Sequence, residues 1–466
     1  MSGHLEGLTQ RRRPHVLIVV QNLPVPLDRR VWQEAQSLIQ NGYRVSVICP
    51  KGPGDPSRQR INSVDIYKYN PAREARGLVG FAWEFVYSWL RTAWLSMVVW
   101  SRGPFDVFQA CNPPDTYWAL ARFWKLRGVK FVFDQHDLNP ELFLSRFGVP
   151  CSAKAKALLG GLRWLERRTY AAADHVISTN DFYREIAMRR GKRTEEDISV
   201  VRSGPDTRRM RPVIPPPSIR RRSSYVLTYI GIMGPQDTVD QLIDLMHELV
   251  TRRGRDDIHL NILGFGDCLE DLKSETTERG LDSVITFTGR VGPAEIADYL
   301  SAADLGVGPD LKTPLNDIST MNKTLEFMAY ALPQVAYELA EVGQLVGDAG
   351  VLVPSADVVA FADAVEALLA DDECRVRMGL RARERVVKLW DWRAQSETYV
   401  EVFDRLTGGT TGMPGGRRAA MSAMPHQGDE SPDREYVDLE DTGAFADFVR
   451  NRGCTNPRAD PHGSGA

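Results

Sequence analysis

Short apolar segments alternate with helix-forming segments through most of the chain, and this alternation constrains the fold more than any other feature. Val16–Val20 is typical: it is too short for the apolar core of a secretion signal and is better interpreted as a buried strand. Regular alternation of this kind predicts a parallel sheet with helices on both faces. The pattern occurs twice, so we predict an α/β protein with two doubly wound, Rossmann-like domains. A cleft between two such domains is a common place for ligands.

The composition of the chain sets the predicted domain boundaries. Residues 14–205 form the first domain, a polar and proline-rich linker covers 206–224, and residues 225–388 form the second domain. A helix at 389–406 could return to the first domain. Residues 407–466 are rich in Gly, Pro, Arg and Asp, which predicts a disordered tail. Within this tail, Glu435–Asn451 could form a transient amphipathic helix, although a solubilising tail is the favoured interpretation.

Charge and cysteine content exclude several classes of function. The net charge of −3 provides no basic field for binding nucleic acid. The six cysteines include no C-x-x-C pair, which argues against a zinc site or a disulfide framework and fits a reducing cytosol.

The segment Phe81–Trp100 is the longest apolar stretch and is dense in Trp and Tyr. Glu84 and Arg91 interrupt it, so a transmembrane span is not expected. Two interpretations remain. The segment could be an interfacial helix that touches lipid or a lipid-linked substrate, or a core helix with many aromatic side chains. Few basic residues flank it, which favours the core helix.

The segment 319–337 predicts a helix with one polar face, followed by a short buried strand. At about 100° per residue, four side chains share one narrow stripe. A strand ending near Pro309 precedes this helix, so the stripe is expected near the carboxyl ends of parallel strands, where open α/β sheets bind ligands. The alternative is a solvated helix face with a Lys–Glu contact. The stripe consists of Ser319, Asn322, Lys323 and Glu326.

Several motifs in a fixed order resemble a known enzyme family. Gly231 follows a strand, and Phe287–Arg290, Ala303-Asp304 and Asn322–Ala329 come after it in that order. Together they resemble retaining, nucleotide-sugar-dependent glycosyltransferases of the GT-B fold, similar to family 4. The resemblance covers roughly residues 14–406. Two further motifs, Asn112–Asp115 and Phe133–Glu141, are similar to the bacterial branch that builds cell-surface polysaccharides.

This resemblance implies a function as well as a fold. The two domains would face a cleft, with the donor on the second domain and the acceptor on the first. The enzyme would move a sugar from a UDP- or GDP-linked donor to a glycan or lipid-linked acceptor in cell-envelope polysaccharide synthesis. It would work in the cytoplasm, with possible peripheral contact at the inner face of the plasma membrane.

The resemblance also assigns donor-site residues. Glu326 aligns with the second acid of the family's acid-x7-acid motif, which suits hydrogen bonding to the ribose hydroxyls. The first acid would fall at Ile318, so Asp317 or Ser319 could substitute for it. Lys323, which shares its helix N-terminus with Asn322, is the candidate for contact with the diphosphate.

Many members of the family carry a basic pair after the first strand of the donor domain. Here residues 231–238 contain no Lys or Arg. Backbone amides around Gly231 and Gly234 could cradle phosphate instead, and Arg290 or Arg202 could supply the missing charge.

Candidates in the first domain come from its loops. The resemblance places His136 in the cleft near the donor sugar, and the alternative is a structural turn histidine. Asp28 and Arg29 are candidate acceptor contacts, with a plain turn as the alternative. Asn112 belongs to a loop that the resemblance favours for the acceptor, and Asp115 is either an acceptor contact or a helix N-cap.

No D-x-D motif occurs in the chain, so we predict transfer without a metal and with no cofactor besides the nucleotide sugar as co-substrate. Two other functions stay open. A sugar-nucleotide epimerase or hydrolase on the same fold would need a pair of acid and base carboxylates. A non-catalytic sugar-nucleotide-binding or assembly subunit would fit the Ile318 departure.

Overall fold

The structure is a computed structural model that describes residues 12–72, 77–220, 223–408 and 435–451. The chain divides into two compact units. Of the described residues, the first unit contains 12–143, 149–201 and 395–408. The second contains 144–148, 202–394 and 435–451.

The first unit is built on a twisted, mainly parallel sheet. Its central strands are buried at every position, as expected for parallel strands that are covered on both faces. Among the described residues the sheet has eight strands in the order β3-β4-β2-β1-β5-β6-β7-β8, with β3 antiparallel to β4. The strands are His15–Val19 (β1), Arg44–Pro50 (β2), Arg58–Ile61 (β3), Val64–Tyr69 (β4), Val107–Cys111 (β5), Lys130–Gln135 (β6), His175–Ser178 (β7) and Ile198–Val200 (β8).

Helices connect these strands and cover the sheet. Asp28 caps the first helix, because its side chain accepts a hydrogen bond from the Val31 amide. The second helix contributes Leu95 and Val99 to the core of this unit. The helices that precede residue 200 are Arg29–Gln40 (α1), Gly77–Arg102 (α2), Trp118–Lys125 (α3), Asn139–Phe147 (α4), Ala153–Ala172 (α5) and Asp181–Gly191 (α6).

The second unit contains a fully parallel sheet within the described residues. The strand order is β11-β10-β9-β12-β13-β14, so the chain adds strands on one side of β9 and then changes to its other side at β12. The strands are Tyr225–Ile232 (β9), Ile258–Phe265 (β10), Ile285–Gly289 (β11), Leu305–Gly308 (β12), Gln334–Tyr337 (β13) and Val351–Val353 (β14).

Helices pack on both faces of this sheet and extend beyond it to the end of the described chain. Two of them, α7 and α13, continue into π-helical turns at His247–Arg252 and Val386–Trp390. The helices are Asp240–Met246 (α7), Leu269–Glu278 (α8), Pro293–Ala302 (α9), Asn322–Ala329 (α10), Ala340–Val346 (α11), Val358–Leu369 (α12), Asp372–Arg385 (α13), Trp392–Thr407 (α14) and Thr442–Asn451 (α15).

The predicted fold class, two doubly wound α/β domains, is confirmed. From Gln395 onward, α14 belongs to the first unit. The tail prediction needs a correction. Residues 435–451 are ordered: Tyr436 forms a β-bridge with Val213, and α15 buries Phe445 and Val449 beside Ala331. This part of the predicted tail is not disordered, because it carries enough apolar surface to pack. Residues 409–434 and 452–466 lie outside the described part of the chain.

The aromatic helix α2 has a buried face and an exposed apolar face. Leu95 and Val99 face the core, whereas Trp83, Leu90 and Trp94 are about half exposed. Among the helices that the structure describes, none is both long and apolar enough to cross a bilayer.

Candidate functional site

Two loops meet where the strand order of the second unit reverses. One loop follows β9 and the other follows β12. Thr238 joins them, since its hydroxyl donates to the Pro309 carbonyl at 2.9 Å and accepts from the Leu311 amide at 3.1 Å. The Asn316 amide also spans them, donating to the Gln236 carbonyl at 3.0 Å. This crevice is where open α/β sheets bind their ligands.

Glycines allow the backbone to approach closely at this crevice. A Cβ on Gly231 would lie 2.7 Å from the Tyr229 hydroxyl and 3.4 Å from Cε of Lys323. Gly264 has a φ of +140°, and a Cβ there would lie 1.8 Å from the Gly231 carbonyl oxygen. A side chain at position 231 would therefore displace the Tyr229 hydroxyl, and one at position 264 would displace the backbone of Gly231.

Lys323 lies in the second position of α10 and is buried. Its Nζ donates to both carboxylate oxygens of Asp310, at 2.7 and 2.8 Å, and sits 4.9 Å from the centre of the Tyr229 ring. Burial alone would lower the pKa of Lys323, but the charge of Asp310 and the neighbouring Tyr229 and Asp237 outweigh it and raise the pKa. Lys323 is thus a fixed cation at the crevice.

Gly234 does not offer an open amide. Its N–H donates to Oδ2 of Asp237 at 3.0 Å. Burial raises the pKa of Asp237 from 3.8 to about 6, with Lys323 opposing the rise. An anion that bound the Gly234 amide would have to displace Asp237, which is easier once that carboxyl is protonated.

The predicted polar stripe is only partly correct. Lys323 and Glu326 share α10 and are each 8% exposed, so they do not form the solvated face that was the alternative. Asn322 is exposed at the first position of α10. Ser319 lies before the helix and donates to the Leu315 carbonyl at 2.7 Å. The predicted start of the helix at 319 is wrong because residues 316–318 form a 3₁₀ turn.

Asp317 does not take the place of the acid that the family carries at position 318. Ile318 ends the 3₁₀ turn. Oδ1 of Asp317 instead accepts from the Ala340 amide at 2.8 Å, at the start of α11, and lies 3.3 Å from Nζ of Lys312. Asp317 therefore anchors α11.

The two candidate arginines contact side chains other than Lys323. Arg202 is buried, forms an ion pair with Glu341, and lies 4.5 Å from the ring of Trp390. Glu341 also accepts from the Thr320 hydroxyl at 2.9 Å. Arg290 is exposed at the end of β11, two strands from β9, with its guanidinium 5.7 Å from the Phe265 ring.

In the first unit, His136 belongs to a buried polar cluster at the carboxyl ends of β5 and β6. Its Nε2 lies 2.6 Å from Oδ2 of Asp134 and 3.1 Å from Nε of Arg30. Arg30 also pairs with Asp134 at 2.8 Å and with Glu34 at 3.0 Å. His136 is therefore more than a turn residue, because two charged side chains fix its ring.

Asn112 and Asp115 lie in the loop after β5, beside this cluster. The Asn112 side chain accepts from the His136 amide at 2.7 Å and donates to Asp115 at 3.1 Å. Asp115 also accepts from Asn139 at 2.5 Å, and burial raises its pKa from 3.8 to about 6. The N-cap alternative for Asp115 is wrong, because α3 begins at Trp118 with Tyr117 at its N-cap.

Asp28 and Arg29 lie at the start of α1. Asp28 is its N-cap, and Arg29 is its first residue. The residue that reaches the His136 cluster is the next one, Arg30. An arginine followed four residues later by a glutamate, directly after a strand and loop, is a signal that could have identified it.

Cys111, Asp134 and His136 place ligand-type atoms within 4.8 Å of one another. The Arg30 guanidinium contacts two of these three side chains, so a metal ion there would face a fixed positive charge. The residues present do not fit a metal at this position.

The sequence prediction missed Asp310, Asp237 and Glu34. Asp310 comes two residues after β12, at the carboxyl edge of the sheet. This position is a recognisable signal for a site residue in an α/β sheet. Glu34 is the glutamate of the four-residue spacing described above for Arg30, so the same signal marks it.

Two family models match the chain, and each covers part of one unit. One, described as "Glycosyl transferase 4-like domain", matches residues 27–204, and the other, "Glycosyl transferases group 1", matches residues 224–371. The chain belongs to the family 4-like glycosyltransferases of the GT-B fold. The predicted family and the predicted enzyme class, glycosyltransferase, are both confirmed.

Individual relatives agree with this family. Alpha-maltose-1-phosphate synthase of Mycolicibacterium smegmatis is 26% identical over 307 residues, which are 60% of this chain and 74% of the relative. Sucrose-phosphate synthase from Thermosynechococcus elongatus is similar in structure, with a TM-score of 0.67 and 19% identity over 85% of this chain and 100% of that one. Anabaena HepE in complex with UDP and glucose has a TM-score of 0.62 and 15% identity, covering 84% and 100% of the two chains.

Proposed function

We propose that this glycosyltransferase is a retaining enzyme that moves a sugar from a UDP- or GDP-linked donor to a glycan or lipid-linked acceptor in cell-envelope polysaccharide synthesis. The observation that carries the proposal is the buried Lys323 beside Gly231, held by Asp310 at the reversal of strand order. A similar fold with bound UDP and glucose supports a nucleotide-sugar donor.

The chemistry follows from the charge that develops during transfer. As the anomeric carbon leaves the diphosphate, negative charge grows on the leaving oxygens. A preorganised cation in a dry crevice stabilises that charge more than a mobile one would. Asp310 fixes Lys323 in place for this role, and Glu326 hydrogen-bonds the ribose hydroxyls. Retention requires the acceptor hydroxyl to attack the anomeric carbon on the same face that the diphosphate leaves. The departing phosphate then takes the hydroxyl proton and acts as the base.

The donor assignment can be tested with the full chain and a panel of UDP- and GDP-sugars. Thermal shift identifies the donor, because a ligand that binds the folded state raises the melting temperature. Lys323→Met is expected to weaken donor binding by about 10- to 100-fold, the loss of one charge-assisted contact. Lys312→Met is the matched control, since Lys312 is in the preceding loop and half exposed.

Equal donor affinity in the Lys323→Met and Lys312→Met variants would contradict the site. A second pair tests ribose recognition: Glu326→Gln should weaken binding, and Glu338→Gln, at an exposed position beyond β13, should not. Slow hydrolysis of one donor supports a transferase. Binding without turnover would favour the assembly subunit, and conversion of the donor sugar without an acceptor would favour the epimerase.

We also propose that transfer needs no metal ion. Both carboxylate oxygens of Asp310 already accept hydrogen bonds from the Lys323 ammonium group, so they are not available to a metal ion. Turnover is expected to be unchanged by EDTA, and loss of turnover that Mg²⁺ restores would contradict this proposal.

A peripheral membrane contact is proposed for α2. Trp83, Val86, Leu90, Trp94 and Met97 follow one another at helical spacing and are all about half exposed. An exposed apolar stripe with tryptophan near both ends suits the interfacial region of a bilayer. Substituting serine for Leu90 and Trp94 should abolish sedimentation with phosphatidylglycerol vesicles. Leu126→Ser, at a more exposed leucine outside α2, is the control.

A further inference from the structure

The helix α14 reaches the His136 cluster through Tyr399. The Tyr399 hydroxyl donates to Oε1 of Gln109 at 2.6 Å. Tyr399, Gln109, Glu34 and Asp134 are all fully buried. A hydrogen bond between two fully buried polar groups is costly to break, because water cannot replace the missing partner.

This bond fixes which way the Gln109 amide faces. Because Oε1 accepts from Tyr399, Nε2 points to the opposite side. There it donates to Oε2 of Glu34 at 2.8 Å and to Oδ2 of Asp134 at 3.1 Å. The flipped amide would place its oxygen against two carboxyl groups and its NH₂ against a hydroxyl hydrogen. Tyr399 therefore selects the orientation in which Gln109 holds both carboxyl groups.

The same oxygen of Asp134 also contacts the ring of His136. Oδ2 of Asp134 lies 2.6 Å from Nε2 of His136, and the Nε–H of Arg30 approaches that nitrogen at 3.1 Å. Nε2 thus faces one acceptor and one donor. A shift of Asp134 away from the ring would change both the orientation of the imidazole and whether Nε2 carries a hydrogen.

We propose that Tyr399 is a positioning residue which, through Gln109 and Asp134, sets the orientation and the hydrogen placement of the His136 ring. The proposal rests on the proposed function, in which His136 contributes to sugar transfer. It gives α14, a segment that follows both matched family models in the sequence, a part in the reaction.

The charged and titratable groups around the ring come from four elements. Helix α1 contributes Arg30 and Glu34, β5 contributes Cys111, β6 contributes Asp134, and α14 contributes Tyr399. Burial and the charge of Asp134 raise the pKa of Glu34. Burial opposes the ionisation of Asp134, but Arg30 and His136 outweigh it and lower the pKa of Asp134. The opposite directions of these two pKa shifts favour Arg30 and Asp134 as the charged pair.

The test compares two tyrosines that join α14 to the same unit. Tyr399→Phe removes the hydroxyl that holds Gln109. Tyr43→Phe is the matched control, because the Tyr43 hydroxyl donates to Asp404 of α14 at 2.6 Å rather than to Gln109. Both variants lose hydrogen bonding between α14 and the rest of the first unit. Ring-nitrogen NMR signals of His136, assigned by their loss in His136→Gln, are followed over pH in both full-length variants together with the pH profile of kcat.

We expect Tyr399→Phe to change the tautomer signature of the His136 ring, to displace the pH profile, and to lower kcat by about tenfold while the donor KM is kept. Tyr43→Phe should leave all three as in the unmodified protein. Wild-type ring signals and pH profile in Tyr399→Phe would overturn the proposal. If no donor is turned over by the unmodified chain, the proposed function fails, and the ring signals alone still decide the positioning role.

Should Tyr399→Phe fail to fold, Gln109→Met is the second variant. It keeps the length of the side chain and removes the two amide donors that face Glu34 and Asp134. The same change in the His136 ring signals is expected. Unchanged signals in this variant would also overturn the proposal.

Discussion

At the scale of single residues, the two units stabilise buried charges in different ways. Lys323 keeps its charge in a buried crevice because Asp310 holds it with two hydrogen bonds. In the first unit two buried carboxyl groups contact one arginine, and the pKa of Glu34 is raised while that of Asp134 is lowered. Removing a partner from either arrangement would leave an uncompensated buried charge, which is far more costly than losing a surface ion pair.

The cluster around Arg30 predicts that two isosteric substitutions change the free energy of unfolding by different amounts. Glu34→Gln replaces a carboxyl group of raised pKa by an amide, so the free energy of unfolding at pH 7 should change by no more than about 1 kcal/mol. Asp134→Asn removes the anion that balances Arg30 and should cost about 3 to 5 kcal/mol. Urea denaturation of both variants measures the difference. A larger loss for Glu34→Gln than for Asp134→Asn would mean that the two proton assignments are reversed.

Asp115 predicts a pH dependence of stability. Its pKa is raised in the folded state from 3.8 to about 6, so the folded protein holds this proton more tightly than the unfolded chain does. Its contribution to stability is present below pH 3.8 and is lost as the pH rises through about 6. Relative to Asp115→Asn, the unmodified protein should therefore lose about 1 kcal/mol of unfolding free energy between about pH 5 and pH 7.

The comparison is made by urea denaturation at several pH values. The hydrogen bonds that the substituted amide cannot make add an offset that is the same at each pH, so only the trend bears on the prediction. A difference that stays constant, or that grows in favour of the unmodified protein as the pH rises, would show that Asp115 is ionised without cost.

At the scale of elements, the sequence predicted the central strands well because parallel strands leave continuous apolar runs. It missed the hairpin of β3 and β4, since Arg58–Ile61 is a mostly polar edge strand. It placed Lys323 and Glu326 on one helix correctly, but the 3₁₀ turn before α10 has no periodic signature. Asp310 and Lys323 are 13 residues apart, and only the folded loop brings them together. Contacts of this kind depend on tertiary structure and not on local pattern.

The helix α15 predicts that the end of the described chain stabilises the second unit. Phe445 is fully buried with Val437 and Val449 beside Ala331 and α13. Phe445→Ala should lower the free energy of unfolding of this unit by about 3 kcal/mol through lost burial and the cavity left behind. Phe448→Ala, at a partly buried position on the same helix, should cost clearly less. Equal losses in the two variants would contradict the prediction that Phe445 contributes more to the packing of α15 than Phe448 does.

At the scale of the whole molecule, neither unit is one continuous piece of chain. The chain leaves the first unit after Val201, returns to it at Gln395, and contributes residues 435–451 to the second. The hydrogen bonds from Tyr43 and Tyr399 show that the returning helix is part of the first unit's interior. The family models cover neither returning segment. Completing each unit therefore requires sequence that the family pattern does not predict.

This interleaving predicts different effects for two truncations. A chain that stops at residue 408 lacks α15 and should unfold earlier in its second unit only. A chain that stops at residue 394 also lacks most of α14 and should lose the first unit as well, because the fully buried Tyr399, Val402 and Phe403 are removed from its core. Hydrogen exchange of β5 and β10 reports on the two units separately. Equal protection of β5 in both truncated chains would contradict the prediction.

The distance along the chain between Gln109 and Tyr399 has a consequence for biosynthesis. The two residues are 290 positions apart. At about 5 to 20 residues per second, the ribosome needs roughly 15 to 60 seconds to make the chain between them. For that interval the nascent first unit exists with its histidine cluster unfinished, while the whole parallel sheet of the second unit is being made. The domain that is begun first is therefore completed only after the sheet of its neighbour, and a stalled ribosome would leave it incomplete.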